Sequence, residues 1–390
     1  MVVDSPTPGW EDDSPHASGS TLESLVAEAS RQLTICNACR YCEGFCAVFP
    51  ALERRTVLGT ADISQLANLC HDCRACFDAC MYTRPHVFEL NVPRVLSSVR
   101  VRDYQRYLWP RRFPAALAGW RGLTLMVLAT CALVVLVAVT HAGLRGIVAQ
   151  GGGPASPYAL IPYGTLLVII LVPAVFAVVV IVAAGRRYWS EIGGAPAGWH
   201  ARPVLRAFWY SATLHYLKGG GADCTYPDEH VPSPARRRLH ALVAYGFGLC
   251  VVSTAAAAVM QDILRQSPPY GWLSVPVLAG TAGGVGMAIG CGCLVSIKMR
   301  ASKELASAQM TIKDYGFLAA LGFLAVSGIA ALLTRSTGAF GPVFLIHLAA
   351  VILATAAAPY SKFVHFMFRI LALIHDGLER AAAVAGKMPG

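Results

Sequence analysis

The sequence predicts an all-α protein in two parts, a small cysteine-rich unit followed by a bundle of six membrane-spanning helices. Three observations predict this. Eight of the 13 cysteines fall in two runs of one spacing, both ahead of any apolar segment. Six apolar segments long enough to cross a bilayer then follow. The whole chain of 390 residues is 55% hydrophobic and only 14% charged, with a mean hydropathy of +0.53, too apolar for an ordinary soluble protein.

Residues 1–22 are rich in Pro, Ser, Asp and Gly and read as a flexible tail. They contain no apolar core of a secretory signal, so the cysteines are expected to stay in the reducing cytoplasm. There, clustered cysteines mean metal or redox chemistry. Residues 23–98 form the soluble unit. Residues 99–121 (RVRDYQRYLWPRRFPAALAGWR from Arg100 is basic and aromatic) read as an interfacial linker. The membrane domain occupies 122–378, with spans near 122–142, 158–184, 240–262, 272–297, 314–334 and 341–362, and 379–390 is a tail. The last span is expected to run on as helix beyond the membrane.

The net charge of +10 is spread over loops between apolar runs, which argues against nucleic acid. Its distribution alternates instead. Arginines precede the first span, and Arg186, Arg187, Arg202, Arg206, Lys218 and Arg236 to Arg238 fill the long loop between the second and third spans. Lys298, Arg300, Lys303 and Lys313 follow the fourth span, whereas Arg145, Arg265 and Arg335 stand alone in the other loops. The positive-inside rule then places both termini in the cytoplasm.

The cysteine runs are TICNACRYCEGFC, with Cys36, Cys39, Cys42 and Cys46, and NLCHDCRACFDAC, with Cys70, Cys73, Cys76 and Cys80. Each reads C-x2-C-x2-C-x3-C. Three cysteines at that interval wrap one corner of an iron–sulfur cube, and in two-cluster ferredoxins the fourth ligates the other cube. One [4Fe–4S] cluster would take Cys36, Cys39, Cys42 and Cys80, and the other Cys70, Cys73, Cys76 and Cys46. Structural zinc prefers separated cysteine pairs and explains two intact four-cysteine runs poorly. Ala47 and Met81 stand where bacterial ferredoxins usually have proline. Between the runs, TVLGTADISQLANLC carries helical periodicity with Asp62 as its expected N-cap, so a mainly helical ferredoxin module is favoured over a β-hairpin type.

A ferredoxin unit fused to a membrane bundle needs a carrier in the bundle, and haem b held by two histidines is the common solution. Intramembrane histidines are therefore site candidates. His240 opens the third span. His347 lies early in the sixth, and His365 follows 18 residues later, on the same face of a straight helix but roughly 27 Å away. His240 and His365 match in depth and are the preferred axial pair. His347 would serve a second haem if it had a partner, or would pair with His240. Met260 lies about 200° around the third span from His240, and Gln261 is a poor iron ligand. His141 ends the first span and is interfacial. His200, His215 and His230 lie in the long loop between the second and third spans, whose stretch HARPVLRAFWYSATLHYL is amphipathic and suits a membrane surface. Quinone is expected where the haem meets lipid, with Trp109, Trp120 or this loop as lining.

The segments CNACRYCEGFCAVFPALERR, ANLCHDCRACFDACMY, LKGGGADCTYPDEHVPSPARRRLHALVAYGF and PYSKFVHFMFR together resemble the tricarballylate/citrate utilization protein B family over roughly residues 30–378. The resemblance implies an electron-transfer subunit of the bacterial inner membrane rather than a stand-alone catalyst. Its electrons would come from an FAD-dependent dehydrogenase that oxidises tricarballylate to cis-aconitate, and would leave for the quinone pool. The membrane half is also similar to the gamma subunit of respiratory nitrate reductase, where one helix carries two haem-ligating histidines, which by analogy points to His347 and His365. The chain departs from the family at Met260, Gln261 and Asp262, where histidines are expected. The competing readings are a structural anchor whose clusters fasten a partner, and a self-contained iron–sulfur quinone reductase, for which Cys291 and Cys293 are a poor active-site motif.

Overall fold

The computed structural model describes residues 21–110, 120–148, 155–196, 198–221, 223–225 and 231–386. Among these the secondary structure is helical, with isolated bridges but no strand. The chain is thus all-α, with six helices long and apolar enough to cross a membrane.

The cysteine-rich unit is built from α1 (Leu22–Cys39), α2 (Val48–Leu52), α3 (Thr60–Leu69), α4 (Ala75–Asp78) and α5 (Val92–Tyr107). Thr21 starts α1 by accepting the Ser24 amide at 3.2 Å. Leu25, Ala29 and Leu33, spaced one turn apart, then meet Ile63, Leu66 and Ala67 of α3 and Val95, Leu96 and Val99 of α5 in one buried core. Asp62 does not cap α3 from the N-cap position. It sits at N3 and reaches back to the Gly59 amide at 3.0 Å, which still satisfies a donor the helix leaves open.

Helix α5 crosses the expected domain boundary at 98/99. Val99, Val101 and Tyr104 are buried, as are Arg100 and Asp103, so residues 99–107 belong to the core of the soluble unit rather than to an interfacial linker. Basic charge misled the reading here, because Arg100 spends its guanidinium on buried carbonyls. The remainder of that linker, 111–119, lies outside the described residues, as do residues 1–20 of the N-terminal tail.

The spanning helices are α6 (Trp120–Val148), α7 (Tyr163–Glu191), α9 (Ala235–Ala258), α10 (Val275–Arg300), α11 (Ala308–Leu333) and α12 (Phe340–Ala357). A surface helix, α8 (Ala201–Ala212), precedes α9, and α13 (His365–Val384) ends the fold. Leu128, Val172, Val252, Phe323 and Ile346 point outwards from the spans, as a lipid-facing surface requires. Between α9 and α10 the backbones nearly touch. A Cβ built on Gly283 would stand 2.6 Å from the Gly246 carbonyl oxygen, so only glycine allows this approach.

The sixth span does not continue straight. It breaks into two short 3-10 turns, Ala358–Tyr360 and Lys362–Val364, on either side of extended Ser361, and α13 begins afresh at His365. Pro359 lies in the first turn, where it cannot continue an α-helix. The expected single helical face shared by His347 and His365 is therefore lost.

The soluble unit docks on one end of the bundle. Asn91 donates to the Glu304 carbonyl at 3.1 Å, and the Ser307 amide to Ser97 Oγ at 3.0 Å. Arg106 pairs with Glu191 at the end of α7. Helix α13 completes the dock from outside the spans. Its Phe368 stacks on Tyr104 at 5.0 Å, Asp376 pairs with Arg54, and Glu379 pairs with Arg55 at 2.8 Å and Arg54 at 3.2 Å. Residues 379–384, expected as tail, are thus part of this helix.

Burial alone would raise the Glu379 carboxyl, but the hydrogen bond from His375 and the guanidinium groups of Arg55 and Arg54 hold it down at about 2. Its folded value is depressed, so its contribution is fully present above the ordinary 4.5 and fades as pH falls towards about 2. Glu379→Gln is expected to lower stability by about 1–3 kcal/mol at pH 7. In thermal unfolding the deficit against the unsubstituted protein should close as pH falls through that window. An equal deficit at pH 7 and pH 3 would contradict the assignment.

Candidate functional site

The eight cysteines are placed by helix ends. Cys36 and Cys39 close α1, where Arg40 turns into the left-handed region (φ 56°) and swings the chain towards Cys42. Cys70 ends α3, Cys76 lies in the short α4, and Cys80 follows it. Two cavities result. The first, about 520 Å3 with its opening to solvent, is lined by Cys36, Cys39, Cys42 and Cys80, with Tyr41 and Met81 at its edge. The second, about 350 Å3, is lined by Cys46, Cys70, Cys73 and Cys76 together with His71 and Arg74. Cys76 and Phe49 form the wall between them.

The fourth cysteine of each run therefore lines the cavity of the other run. The electrostatic neighbours agree. Cys36 feels Cys80, Cys42 and Cys39, whereas Cys46 feels Cys73 and Cys70. Cys76 touches both cavities, but its strongest thiol neighbours are Cys73, Cys46 and Cys70. Burial and these neighbours push the Cys36 thiol up to about 12, while burial and Cys224 lead in doing the same at Cys73. Such thiols ionise readily only when a metal replaces their protons. Among the described residues no group of three His, Cys, Asp or Glu side chains converges to hold a single metal ion. Four thiols set around a cavity instead suit a multi-iron cluster, in which each thiolate bonds a different iron.

In the bundle, the imidazoles of His240 and His365 lie side by side, with ring centroids 6.3 Å apart and planes nearly perpendicular at 83°. Two metal–nitrogen bonds of about 2 Å each, plus the two ring radii, come close to that separation. His365 Nδ1 lies 2.6 Å from the Lys362 carbonyl oxygen. A carbonyl can only accept, so Nδ1 carries the proton and Nε2 is left bare, the orientation a metal-ligating histidine adopts. His240 Nδ1 is buried without a hydrogen-bond partner. Burial first, then the charges of Arg369 and Lys362, lower the His365 value to about 3, which keeps the ring neutral and free to ligate. Phe363, in contact with Phe247, Phe317 and Phe366, supplies an apolar aromatic wall beside the pair. The residues present fit a bis-histidine haem on these grounds.

His347 is elsewhere. Its Nδ1 meets Ser327 Oγ at 3.0 Å, and the ring packs on Gly328 of α11. Neither His240 nor His365 shares a ring contact with it. His141 is exposed, and His200 is the exposed residue before α8. His215 stacks on Tyr210 at 4.4 Å. His230 lies outside the described residues, as does the side chain of Trp120. Trp109 is exposed, with its carbonyl bonded by Tyr360 Oη at 2.9 Å. Helix α8 exposes Leu205, Phe208 and Trp209 along one side.

Three functional candidates were missed in the sequence. Arg100, Arg236 and Arg369, from α5, α9 and α13, converge on the carbonyl oxygens of the loop that carries Cys70. Arg236 looked like one more topological charge in the run before His240, and nothing in the local pattern distinguishes it. A second cluster, Asp314 between Lys298 and Lys362, ties α10 and α11 to the turn that presents His365.

The fold and the cysteine arrangement define a multi-pass membrane protein with a helical iron–sulfur domain docked on one end. The chain belongs to the citrate utilization protein B family. The family's model matches residues 117–386, and the model of its Fer4-like domain matches residues 29–106. Among curated proteins it is 36% identical over 365 residues to the citrate utilization protein B of Escherichia coli, covering 92% of this chain and 95% of that one. No solved structure matches it.

Proposed function

We propose that this chain is the membrane electron carrier of an oxidoreductase pair, taking electrons from an FAD-dependent dehydrogenase and delivering them to membrane quinone. The reading assigns two [4Fe–4S] clusters to the two four-cysteine cavities and one haem b to His240 and His365. The observation that carries it is spatial. The docked iron–sulfur unit rests on the very end of the bundle at which those two histidines meet. When bound, such groups supply one-electron transfer without proton chemistry, so the protein has only to hold them close, dry and in order. The cysteines fix the two clusters on helix ends, and Lys362 fixes the His365 tautomer through its carbonyl.

The family name, citrate utilization protein B, supports citrate as the partner's substrate, and the resemblance noted in the sequence adds tricarballylate. The arginine-rich loops support an inner-membrane orientation with both termini and the iron–sulfur unit in the cytoplasm. The exposed apolar side of α8 suits the membrane surface, and quinone is proposed to bind near it and Trp109, where the haem pair approaches lipid.

The test is chemical. Anaerobically purified protein is assayed for iron and acid-labile sulfide, and a dithionite-minus-oxidised spectrum is recorded. About eight non-haem irons and a b-type α-band that a quinone analogue reoxidises are expected. Both clusters without any haem would leave a ferredoxin unit on a passive anchor and sink the carrier reading.

A further inference from the structure

Three guanidinium groups meet at one loop. Arg100 donates to the Cys70 carbonyl at 2.5 Å and to that of Ala67 at 3.2 Å. Arg369 donates to the same Cys70 carbonyl at 2.6 Å and to that of Asn68 at 3.4 Å. Arg236 donates to the Asp72 carbonyl at 2.5 Å and to that of His71 at 3.2 Å. Arg100 is buried and the other two are half-buried. Arg236 stands one helical turn before His240, and Arg369 one turn after His365. Each histidine helix therefore reaches the loop of the inner cavity, that of Cys46, Cys70, Cys73 and Cys76, through its own arginine.

Among the described residues no such convergence of guanidinium groups surrounds the outer cysteines, those of the Cys36/Cys39/Cys42/Cys80 cavity. Arg40 is turned back onto the Asn37 carbonyl at 3.1 Å. Arg31 and Arg84 are paired with Glu28 and Glu89 on the exposed surface, where water and salt screen them. At the inner loop Asp72 and Asp223 are in electrostatic reach, and Arg237 already pairs with Asp223, so the three cations outnumber the acid left to offset them in a poorly solvated place.

We propose that Arg100, Arg236 and Arg369 form a clamp that makes the Cys46/Cys70/Cys73/Cys76 centre the higher-potential of the two and joins it to the helices bearing His240 and His365. The inference rests on the cluster assignment above. An electron added to either centre makes it one unit more negative, and nearby cations in a low dielectric favour that state. Burial of the inner site acts in the opposite sense, but three cations bonded to its ligand loop outweigh it. The step between the centres is one electron, with the outer centre oxidised by one and the inner reduced by one, and no atom moves. The clamp makes that step downhill towards the bundle, and it seats the inner centre against both histidine helices. The three arginines are positioning residues, since they act through the cysteine loop.

A potentiometric titration followed by EPR, on the full-length protein in detergent, tests this. The unsubstituted protein is compared with Cys39→Ser, Arg369→Gln, Arg369→Lys and Arg54→Gln. Two one-electron steps are expected. Cys39→Ser should disturb only the lower one. Arg369→Gln should move only the higher one downwards, Arg369→Lys should largely restore it, and Arg54→Gln, which loosens the dock elsewhere, should move neither. If Arg369→Gln loads no iron, Arg236→Gln carries the same expectation. The clamp is overturned if removing the arginine leaves both steps in place, or moves the step that Cys39→Ser moves. Absence of any [4Fe–4S] signal in the unsubstituted protein would overturn the cluster assignment itself, and the clamp with it.

Discussion

His365→Ala protein is expected to keep its iron–sulfur centres and to lose the b-type α-band entirely. The two imidazoles lie 6.3 Å apart on separate helices, so the haem they would hold is also a clip between α9 and α13. Removing one axial ligand leaves His240 to hold the group alone. Loss of a mere outer-shell partner of a metal ligand already costs about 10–100-fold in affinity, and loss of the ligand itself costs more. The cysteines lie on other elements and their cavities are lined by neither histidine, so iron and sulfide content should stay unchanged. His347→Ala is the companion measurement. Its ring is bonded to Ser327 and packed on Gly328, away from the pair, and its removal should leave the band in place. A full α-band in His365→Ala protein, or its loss in His347→Ala protein alone, would refute the pairing.

Cys80→Ala is expected to empty the centre built on Cys36, Cys39 and Cys42, although Cys80 belongs to the second run in sequence. It lines the first cavity, and Cys46 lines the second. Non-haem iron should fall to about half of the eight atoms that two cubes contain. Pairs of substitutions reveal which half. Cys80→Ala combined with Cys36→Ala should lose no more iron than either alone, because both strike one centre. Combined with Cys70→Ala it should leave almost none. The opposite result, additive loss with Cys36→Ala and no further loss with Cys70→Ala, would show that each run closes its own centre.

Much of this was legible in the sequence because the signals are local. Cysteine spacing along a helix end and its turn dictates which thiols can share a corner of one cluster. Runs of Leu, Val and Ile long enough to cross a bilayer cannot hide their meaning. The helical nature of the iron–sulfur unit followed from the periodicity of TADISQLANL, even though Asp62 turned out to bond the Gly59 amide from N3 rather than to stand at the N-cap. The linker was misread at Arg100 and Asp103, because a charge buried against carbonyls carries the same letter as a charge in water.

What the sequence by itself determined was the inventory: two four-cysteine runs, six spans and a handful of histidines at span ends. Only the tertiary structure decided how these meet. The break at Ser361 detached His365 from the face of His347 and turned it towards His240. The docking of α5, α9 and α13 brought three arginines, 136 and 133 positions apart along the chain (236 − 100 and 369 − 236), onto one cysteine loop. The reason is physical. Local propensity acts over a few residues, while the placing of a buried charge or a bare nitrogen is set by partners that only packing supplies.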